Sequence, residues 1–468
     1  MGNQFLDFFV IEESVIIEIF TETMSSSKQV QFRIIVGSYE HSLLCVSVTI
    51  PLDQEGEDSD SKKQAHFHPI FHFSAHSLSI RSMDIAKRYL VTGSNDEHIR
   101  IYDLQKRKEL GTLLQHQGSI TKLLFSNEVD DENHDKEKDE RNEDADSNLG
   151  ESKEDVYLTH KRGKWLLSAS EDGTILIWRT KDWEKFGVLK GHKGAVEDIA
   201  IHPSGRVAIS VGADSTVRLW NLMTAKKASS MFLRGALTRG QTAQFIQFDS
   251  TGEFFVIGFR DRIMFWTTRE AKMLNLLGTN KVVIMDVQFV VLSGREFMVV
   301  ALNNGSIDFY EFKDSLFKLE SKKIKDIDGA NLENLPKPTY SLQGHASRVK
   351  GISFYKEIIN GKLHEYMVSI SSDGKIVVWN LDLAVMDQVA VYSTGERLNV
   401  VSTVQETIEK ASTMKPIYNP DDKYKDVATD SEYESDGESL AHIMKGGKRV
   451  SKKKQRKEKK KLLSVEIE

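Results

Sequence analysis

The stretch that decides the fold is HKGAVEDIAIHPSGRVAISVGADSTVRLWN, residues 192–221. It alternates apolar and polar residues in three short runs, which are separated by a Pro-Ser-Gly turn and a tight turn at Asp214, and the last run ends in Trp220. Alternation of this kind is typical of strands with one buried face, so we predict three antiparallel strands here. Three strands cannot bury that face alone and need copies of themselves as neighbours.

Such copies recur along the chain. Four units keep the full pattern and start at His76, His116, His192 and His345. Three further units, at about residues 32–73, 243–266 and 283–312, keep the strand pattern with weaker turn signals. Repeats of about forty residues close into a ring, so the sequence predicts an all-β, seven-bladed propeller.

The two ends of the chain complete each other. The first unit lacks its innermost strand, and the segment RLNVVSTV, residues 397–404, follows the last unit and matches such a strand. We expect it to pack into the first blade and to close the ring without a free sheet edge. The predicted parts are an N-terminal extension (1–30), a propeller (31–405) with insertions at about 127–156 and 313–338, and a disordered charged tail (406–468).

The composition is that of a soluble protein with some unstructured segments, with 40% hydrophobic and 28% charged residues. The single cysteine, Cys45, cannot form an internal disulfide, so nothing indicates an oxidising compartment. The apolar segment near the N-terminus contains glutamates and lacks a basic start, which argues against a signal peptide. We expect an intracellular chain with no membrane partner, because no run has the length of a membrane span.

One polar set recurs in the four regular units. Relative to the Asp of the tight turn, a hydroxyl residue lies four positions earlier and an aromatic residue six positions later, and a His precedes the innermost strand. The four sets are His76, Thr92, Asp96, Tyr102; His116, Ser168, Asp172, Trp178; His192, Ser210, Asp214, Trp220; and His345, Ser369, Asp373, Trp379. We predict that each set forms a buried hydrogen-bond network running from the aromatic residue through the hydroxyl group and His to Asp.

The same residue types also form nucleophilic triads, which raises the alternative of a hydrolase. An active site is needed once, whereas this set recurs in four units with the same offsets. We therefore predict a structural network, no catalytic residues and no enzyme activity. The sequence contains no glycine-rich phosphate loop either, and we expect no cofactor and no small-molecule substrate.

These motifs resemble the WD-repeat family of β-propellers, in which such a His, Ser, Asp and Trp set ties each blade together. The usual Gly-His pair stands at Gly191-His192, and the usual Trp-Asp pair is relaxed to Trp220-Asn221. The first, fifth and sixth units depart from the pattern. They carry no preceding His, and their turn positions hold Glu40, Arg260 and Asn304.

The order of motifs is similar to that of the p21-activated kinase interacting protein family. The motifs are VGSYEH, VTGSNDEHIRIYD, SASEDGTILIW, GHKGAV, IHPSGRVAISVGADSTVRLWNL and SSDGKIVVWNL. The resemblance covers about residues 33–404, and residues 201–222 are its most discriminating part. It implies a role in nucleolar assembly of the large ribosomal subunit and, in animals, restraint of the kinase for which the family is named.

Four histidines stand close together in HFHPIFHFSAH, at positions 66, 68, 72 and 76, and invite a metal-site interpretation. On a regular strand His66, His68 and His72 would share one face, because their spacings are even. His76 already belongs to a blade network, and no Cys or carboxylate lies close in sequence. We therefore expect no metal site.

The C-terminal tail is strongly basic. The basic residues are Lys448, Arg449, Lys452, Lys453, Lys454, Arg456, Lys457, Lys459, Lys460 and Lys461. This density suits a nuclear import signal or an arm that binds phosphates, and the alternative is a solubilising tail without a partner. Because the basic stretch has no aromatic residues to stack on bases, contact with rRNA would be electrostatic and sensitive to salt.

Two serines just before this stretch are candidate phosphorylation sites. Ser431 and Ser435 each stand three residues ahead of a glutamate, a spacing that acid-directed kinases favour. We expect phosphates there to weaken contact of the tail with polyanions. The acidic insertion at 127–156 is interpreted as a solvated loop, with competition for basic partners as the alternative.

Fold and resemblance together lead to two functional hypotheses. The first is a non-catalytic scaffold in nucleolar biogenesis of the large (60S) ribosomal subunit, in which the propeller binds pre-ribosomal assembly factors and the tail supplies nuclear address or rRNA affinity. The second is a negative regulator that binds a p21-activated-type protein kinase. Both place recognition on loops and faces of the ring. The first predicts localisation in the nucleus and nucleolus.

Overall fold

A computed structural model describes residues 29–406 of the chain, except 53–64, 128–160, 162, 234, 280, 313–331 and 360–361. The N-terminal extension before residue 29, almost all of the acidic insertion and the tail from residue 407 lie outside this part. The basic tail residues, Ser431 and Ser435 therefore have no structural account. Among the described residues, no helix is long and apolar enough to cross a membrane.

The described strands form seven antiparallel sheets of four strands each, and the predicted all-β, seven-bladed propeller is confirmed. From the innermost strand outward, blade 1 contains β28 (Leu398–Gln405), β1 (Gln29–Ser38), β2 (Ser42–Pro51) and β3 (His66–Ser74). Blade 2 contains β4 (Ile80–Ala86), β5 (Tyr89–Ser94), β6 (Ile99–Asp103) and β7 (Lys108–Leu113). Blade 3 contains β8 (Ile120–Phe125), β9 (Trp165–Ser170), β10 (Thr174–Arg179) and β11 (Glu184–Lys190).

The other four blades have the same order. Blade 4 contains β12 (Val196–Ile201), β13 (Val207–Gly212), β14 (Thr216–Asn221) and β15 (Lys226–Phe232). Blade 5 contains β16 (Phe245–Phe248), β17 (Phe254–Gly258), β18 (Arg262–Thr267) and β19 (Met273–Gly278), and a short helix α1 (Gly235–Thr238) precedes it. Blade 6 contains β20 (Ile284–Leu292), β21 (Arg295–Leu302), β22 (Ser306–Glu311) and β23 (Tyr340–Gln343). Blade 7 contains β24 (Val349–Ile359), β25 (Lys362–Ser371), β26 (Lys375–Asp382) and β27 (Val385–Ser393).

The ring closes where the two ends of the described chain meet. Strand β28 pairs antiparallel with β1, with Val404 opposite Arg33 and Val401 opposite Val36. Further contacts fasten both ends of β28. The Arg33 guanidinium lies 2.7 Å from a carboxylate oxygen of Glu406, and the Tyr39 backbone amide donates to the Arg397 carbonyl at 2.7 Å. No innermost strand is missing from the described ring.

Apolar side chains between adjacent blades form the core. Blades 7 and 1, for example, share a cluster in which the Phe32 and Tyr355 rings stack with centroids 4.3 Å apart. Around the channel, side chains on innermost strands bind the backbone of the next blade: Ser82 Oγ accepts from the Leu123 amide at 2.8 Å, and Asp198 Oδ2 accepts from the Ile246 amide at 2.9 Å. Each blade therefore depends on its neighbours for burial and for hydrogen bonds.

The second insertion differs from the prediction of a polar loop across 313–338. Its described end returns to blade 5, where the Gly278 amide donates to the Glu333 carbonyl and the Leu335 amide donates to the Gly278 carbonyl, both at 2.8 Å. Leu332 packs against the cluster shared by blades 4 and 5, and Leu335 against that of blades 5 and 6. This stretch therefore adds a short extended segment to the outer edge of β19.

Candidate functional site

The four regular blades carry their polar sets on one edge of the ring, which we call the turn face. The turn face comprises the tight turns between second and third strands and the segments that lead into the innermost strands. In blade 4 the backbone of Lys193, just ahead of the innermost strand, donates to Asp214 Oδ2 at 3.0 Å and joins these two segments. Equivalent bonds tie Ser77 to Asp96 and Gln117 to Asp172.

Blade 4 shows the network at its most complete. Trp220 Nε1 donates to Ser210 Oγ at 2.7 Å, Ser210 Oγ lies 2.8 Å from His192 Nε2, and His192 Nδ1 lies 3.1 Å from Asp214 Oδ1. Thr216 also donates to this carboxylate through its hydroxyl group at 2.7 Å. The structure therefore joins the four residues of the set in the order expected from the sequence.

Blade 3 repeats this arrangement. Trp178 Nε1 donates to Ser168 Oγ at 2.9 Å, and the His116 ring lies 2.8 Å from Ser168 Oγ through Nε2 and 3.0 Å from Asp172 Oδ2 through Nδ1. Blade 7 keeps the bond from Trp379 to Ser369 and the contact of His345 Nε2 with Ser369, each at 2.8 Å. In blade 7 the last contact is looser, since His345 Nδ1 stands 3.6 Å from Asp373 Oδ1.

Blade 2 differs from the other regular blades at its aromatic residue. His76 Nε2 lies 2.8 Å from Thr92 Oγ1, and His76 Nδ1 lies 3.1 Å from Asp96 Oδ2, as in the other blades. The Tyr102 hydroxyl, however, is buried without a hydrogen-bond partner among the residues that the structure describes. A phenol projects its donor from the ring tip rather than from the ring edge, so it does not reproduce the indole N–H bond.

Burial sets the charge of each network. Burial lowers the pKa of His76, His116, His192 and His345, and the neighbouring Asp only partly offsets this effect. Burial alone would raise the pKa of Asp214, but donors from Lys193, Thr216 and His192 outweigh it and hold that pKa well below its ordinary value. Burial thus favours the neutral form of each histidine, and in blades 2, 3 and 4 Nδ1 faces the turn Asp, which fits the tautomer with Nδ1–H directed at the carboxylate and Nε2 accepting from the hydroxyl group.

This tautomer is the one that a catalytic triad uses, so accessibility decides between the two interpretations. The hydroxyl-bearing residues Thr92, Ser168, Ser210 and Ser369 are all 0% exposed. In three of the blades the same oxygen also accepts the indole N–H. A substrate has no path to these oxygens, and the networks fix the shape of the turn face.

Blade 1 has a different network, which the sequence pattern missed. Glu396, two residues before β28, accepts a hydrogen bond from Ser42 Oγ. The next amide, that of Arg397, donates to Glu40 Oε2, in the tight turn of this blade, at 3.0 Å. These contacts were not predicted because the two partners lie at opposite ends of the described propeller.

The pKa of Glu396 reflects these contacts. Burial alone would raise it, but hydrogen bonds from Ser42 and Ser38 and the neighbouring His72 ring hold it below its ordinary value. His72 Nε2 lies 2.9 Å from Glu396 Oε1. This carboxylate therefore joins the first and last segments of the described propeller.

The tight turns of blades 5 and 6 are held by other side-chain contacts. In blade 6, Asn304 Oδ1 accepts from the Ser306 amide at 3.1 Å and from its hydroxyl group at 2.8 Å, so Asn replaces the turn Asp. In blade 5 the side chain of Arg262 is buried and reaches Asp261 Oδ1 at 2.9 Å and the Leu237 carbonyl at 2.8 Å. The Arg262 guanidinium thus links the turn residue next to Arg260 to the segment before blade 5, with no histidine involved.

The prediction that three histidines of β3 share one face is wrong. The register of β3 against β2 shifts by one residue between Cys45 and Val46, a β-bulge. One extra residue exchanges the two faces of a strand, so His72 faces the side opposite to His66 and His68. Among the described residues, no group of three His, Cys, Asp or Glu side chains is arranged to hold a metal ion.

The chain is similar in sequence to known WD-repeat proteins. A family model, the WD domain, G-beta repeat, matches residues 67–103, 155–179 and 183–221. Protein MAK11 of Saccharomyces cerevisiae is 45% identical over 441 residues, which cover 94% of this chain and 98% of that protein. The p21-activated protein kinase-interacting protein 1-like of Gallus gallus is 31% identical over 355 residues, 74% of this chain and 75% of that protein. The chain belongs to this WD-repeat family.

The MAK11 and kinase-interacting protein family includes a further vertebrate member. The p21-activated protein kinase-interacting protein 1-like of Xenopus laevis is 29% identical over 351 residues, 75% of each chain. Both vertebrate relatives are named for interaction with a protein kinase. A WD propeller of this family is a fold that binds other proteins, and its turns and faces are the surfaces available for that purpose.

Proposed function

We propose that this chain is a non-catalytic scaffold that acts in assembly of the large ribosomal subunit in the nucleolus. The proposal of a non-catalytic role rests on the burial of the hydroxyl groups in all four polar sets. The residues that resemble a triad form hydrogen bonds within the blades. The ring then offers turns and faces for several assembly factors at once. The ribosomal part rests on the family resemblance and on the composition of the tail.

The charge of the basic tail suits a nuclear import signal or contact with rRNA. Between Lys448 and Lys461 it carries ten Lys and Arg and one Glu. Such a stretch attracts phosphates without reading sequence, so its affinity for rRNA falls steeply as salt is raised. Tail and propeller would then divide the work, the tail acting on polyanions and the propeller on proteins.

Gradient sedimentation tests the scaffold proposal. The tagged chain is expected to co-migrate with pre-ribosomal particles, and its depletion is expected to lower the amount of large subunits relative to small ones. A matched strain that carries His192→Gln, expressed at the wild-type level at a permissive temperature, is expected to keep the large subunits, because the residue has no catalytic role. Sedimentation only as free protein, with normal subunit ratios after depletion, would contradict the proposal.

A second candidate function is regulation of a p21-activated-type protein kinase, favoured by the names of two relatives. In this role the propeller would bind the kinase and lower its activity. The test is a purified kinase assay with increasing amounts of the full chain and an unrelated WD propeller as control. Inhibition at stoichiometric amounts, with no effect of the control, supports this function, and unchanged kinase activity contradicts it.

A further inference from the structure

The edge of the ring opposite the turn face has an uneven distribution of charge. Because the strands of a blade are antiparallel, this edge comprises the connections from first to second strands and the turns from third to fourth strands. In blades 2, 3 and 4 the described residues of this edge include eleven Lys and Arg against three Asp and Glu (86–89, 103–108, 125–127, 161–165, 179–184, 201–207 and 221–226). We call this part of the edge the basic face.

The same edge of blades 5, 6 and 7 is balanced. Its described residues include five Lys and Arg against six Asp and Glu (248–254, 267–273, 292–295, 311–312, 332–340, 359, 362 and 382–385). The formal net charge of the whole chain is -6. The positive charge of the basic face is therefore a local property of three blades and does not follow from the overall composition.

The three carboxylates of the basic face are already paired with arginines. Asp103 lies 3.4 Å from Arg88 Nε, and the Arg179 guanidinium forms ion pairs with both Asp182 and Glu184. Six lysines of this face are exposed and form no ion pair with a described residue: Lys87, Lys106, Lys108, Lys164, Lys181 and Lys226. Their mutual repulsion favours the binding of an extended anion.

Contacts between blades make the basic face continuous. The Tyr89 ring of blade 2 lies edge-on to the Trp183 ring of blade 3, with centroids 5.5 Å apart. Blade 3 also contacts the turn of blade 4, since a Cβ atom on Gly187 would lie only 2.9 Å from Ala225 Cβ. The exposed lysines of the three blades therefore border one uninterrupted surface.

Phe186 adds an aromatic ring at the margin of this surface. It is 50% exposed, and its ring packs against that of Trp165 with centroids 4.7 Å apart. Its neighbour Gly187 contacts blade 4, so the ring lies close to the boundary of blades 3 and 4. An exposed ring that is held in place beside lysines suits the stacking of a base whose phosphates contact those lysines.

We propose that the basic face binds single-stranded RNA, with phosphates on the exposed lysines and a base stacked on Phe186. An RNA strand repeats a phosphate and a flat base at every nucleotide, so it matches both features at once. The inference rests on the proposed scaffold function and adds to it a contact between propeller and rRNA. Contact with polyanions would then be shared between the tail and the basic face, which leaves the turn face to proteins.

Charge removal in purified protein tests the proposal, so it can fail while the sedimentation experiment succeeds. The parent is the full-length chain with every Lys and Arg between residues 448 and 461 replaced by glutamine, which removes RNA contact by the tail. Binding of a short fluorescein-labelled single-stranded RNA of mixed sequence is followed by anisotropy between about 50 and 200 mM salt. The acidic insertion is present in every chain compared, so its charge does not affect the comparison.

The variant Lys106→Gln/Lys181→Gln/Lys226→Gln removes one exposed lysine from each blade of the basic face. It is expected to bind the RNA about tenfold more weakly than the parent at the lower salt concentration. The slope of log affinity against log salt should become shallower by about 2, because each phosphate contact on a single strand contributes about 0.7. The matched control, Lys190→Gln/Lys193→Gln/Lys281→Gln, removes the same charge from exposed positions on the turn face and should change affinity by less than about twofold.

Phe186→Leu tests the aromatic contact separately. It keeps an apolar side chain against Trp165 and is expected to weaken RNA binding about fivefold, because the base loses its stacking partner. Inorganic polyphosphate, which has charge without bases, should bind this variant as tightly as the parent. A merely structural role of Phe186 would not separate the two ligands.

The proposal is overturned if the parent does not bind the RNA, or if the turn-face control loses as much affinity as the basic-face variant. It is also overturned if Phe186→Leu binds RNA as tightly as the parent or loses RNA and polyphosphate equally. A labelled glutamate-rich peptide that responds to the loss of the three lysines, while the RNA does not, would assign the basic face to an acidic protein instead.

Discussion

Blade 4 and blade 1 contain the same number of strands and are built in opposite ways. Blade 4 takes its four strands from a continuous stretch, and its Trp220, Ser210, His192 and Asp214 lie within thirty residues. Blade 1 takes its innermost strand from the other end of the described chain, and Glu396 just before that strand accepts a hydrogen bond from Ser42. A blade that is continuous in sequence, such as blade 4, is stabilised by hydrogen bonds within one stretch of chain. Blade 1 also closes the ring, because it pairs the two ends of the described chain.

The largest effect should come from removing β28. A chain that ends at Arg397 leaves β1 without its inner partner and exposes the cluster around Phe32 and Tyr355. We expect loss of the cooperative thermal transition measured by circular dichroism, because neighbouring blades depend on one another. A chain that ends at Glu406 is the control and should melt like the full chain. Equal melting of the two truncated chains would contradict the ring-closure role of β28.

A smaller difference should separate the two polar networks. Ser210→Ala leaves Trp220 Nε1 and His192 Nε2 buried without partners, and we expect a loss of about 1–3 kcal/mol in the free energy of unfolding. Ser42→Ala removes a donor to Glu396, whose side chain is 27% exposed, so the expected loss is below about 1 kcal/mol. Urea unfolding of both variants measures the two losses in the free energy of unfolding. A larger loss for Ser42→Ala would show that blade 1 depends more on its polar contacts than blade 4 does.

The buried histidines predict a pH dependence with a definite sign. Burial holds their pKa below 6.5 in the folded chain, so below pH 6.5 the unfolded chain binds more protons than the folded chain does. The free energy of unfolding therefore decreases as the pH is lowered. Each histidine contributes a slope of up to about 1.4 kcal/mol per pH unit. Urea unfolding at a series of pH values should show a smaller slope for His192→Gln than for wild type. For Glu396→Gln, the slope in this window should equal that of wild type.

The smallest effect is expected in blade 2. The Tyr102 hydroxyl is buried without a partner in the described structure, so Tyr102→Phe should change the free energy of unfolding by less than about 0.5 kcal/mol. Trp220→Phe removes an indole N–H that donates to Ser210 and should cost about 1–2 kcal/mol more. Equal losses for the two variants would indicate that the Tyr102 hydroxyl does form a network bond in solution.

Sequence patterns predicted the repeated parts of the site and missed its exceptions. Fixed offsets identified the sets around Asp96, Asp172, Asp214 and Asp373, because residues of one turn and its two strands are close in sequence. Glu396 was missed because its partners lie more than three hundred residues away, and Ser42 accordingly gave no signal. The bulge in β3 was not predicted, because no sequence rule identifies a single extra residue in a strand.

The sequence by itself determined the fold class, the number of blades and the membership of the polar sets, since alternation and spacing are local properties that repeat. It also located the closing strand, because only one blade lacked a strand and only one was left over. Tertiary structure alone decided which side of β3 each histidine faces and which residues fasten the closing strand β28 to the first blade. Those properties depend on which segments the closed ring brings together, and no local pattern records them.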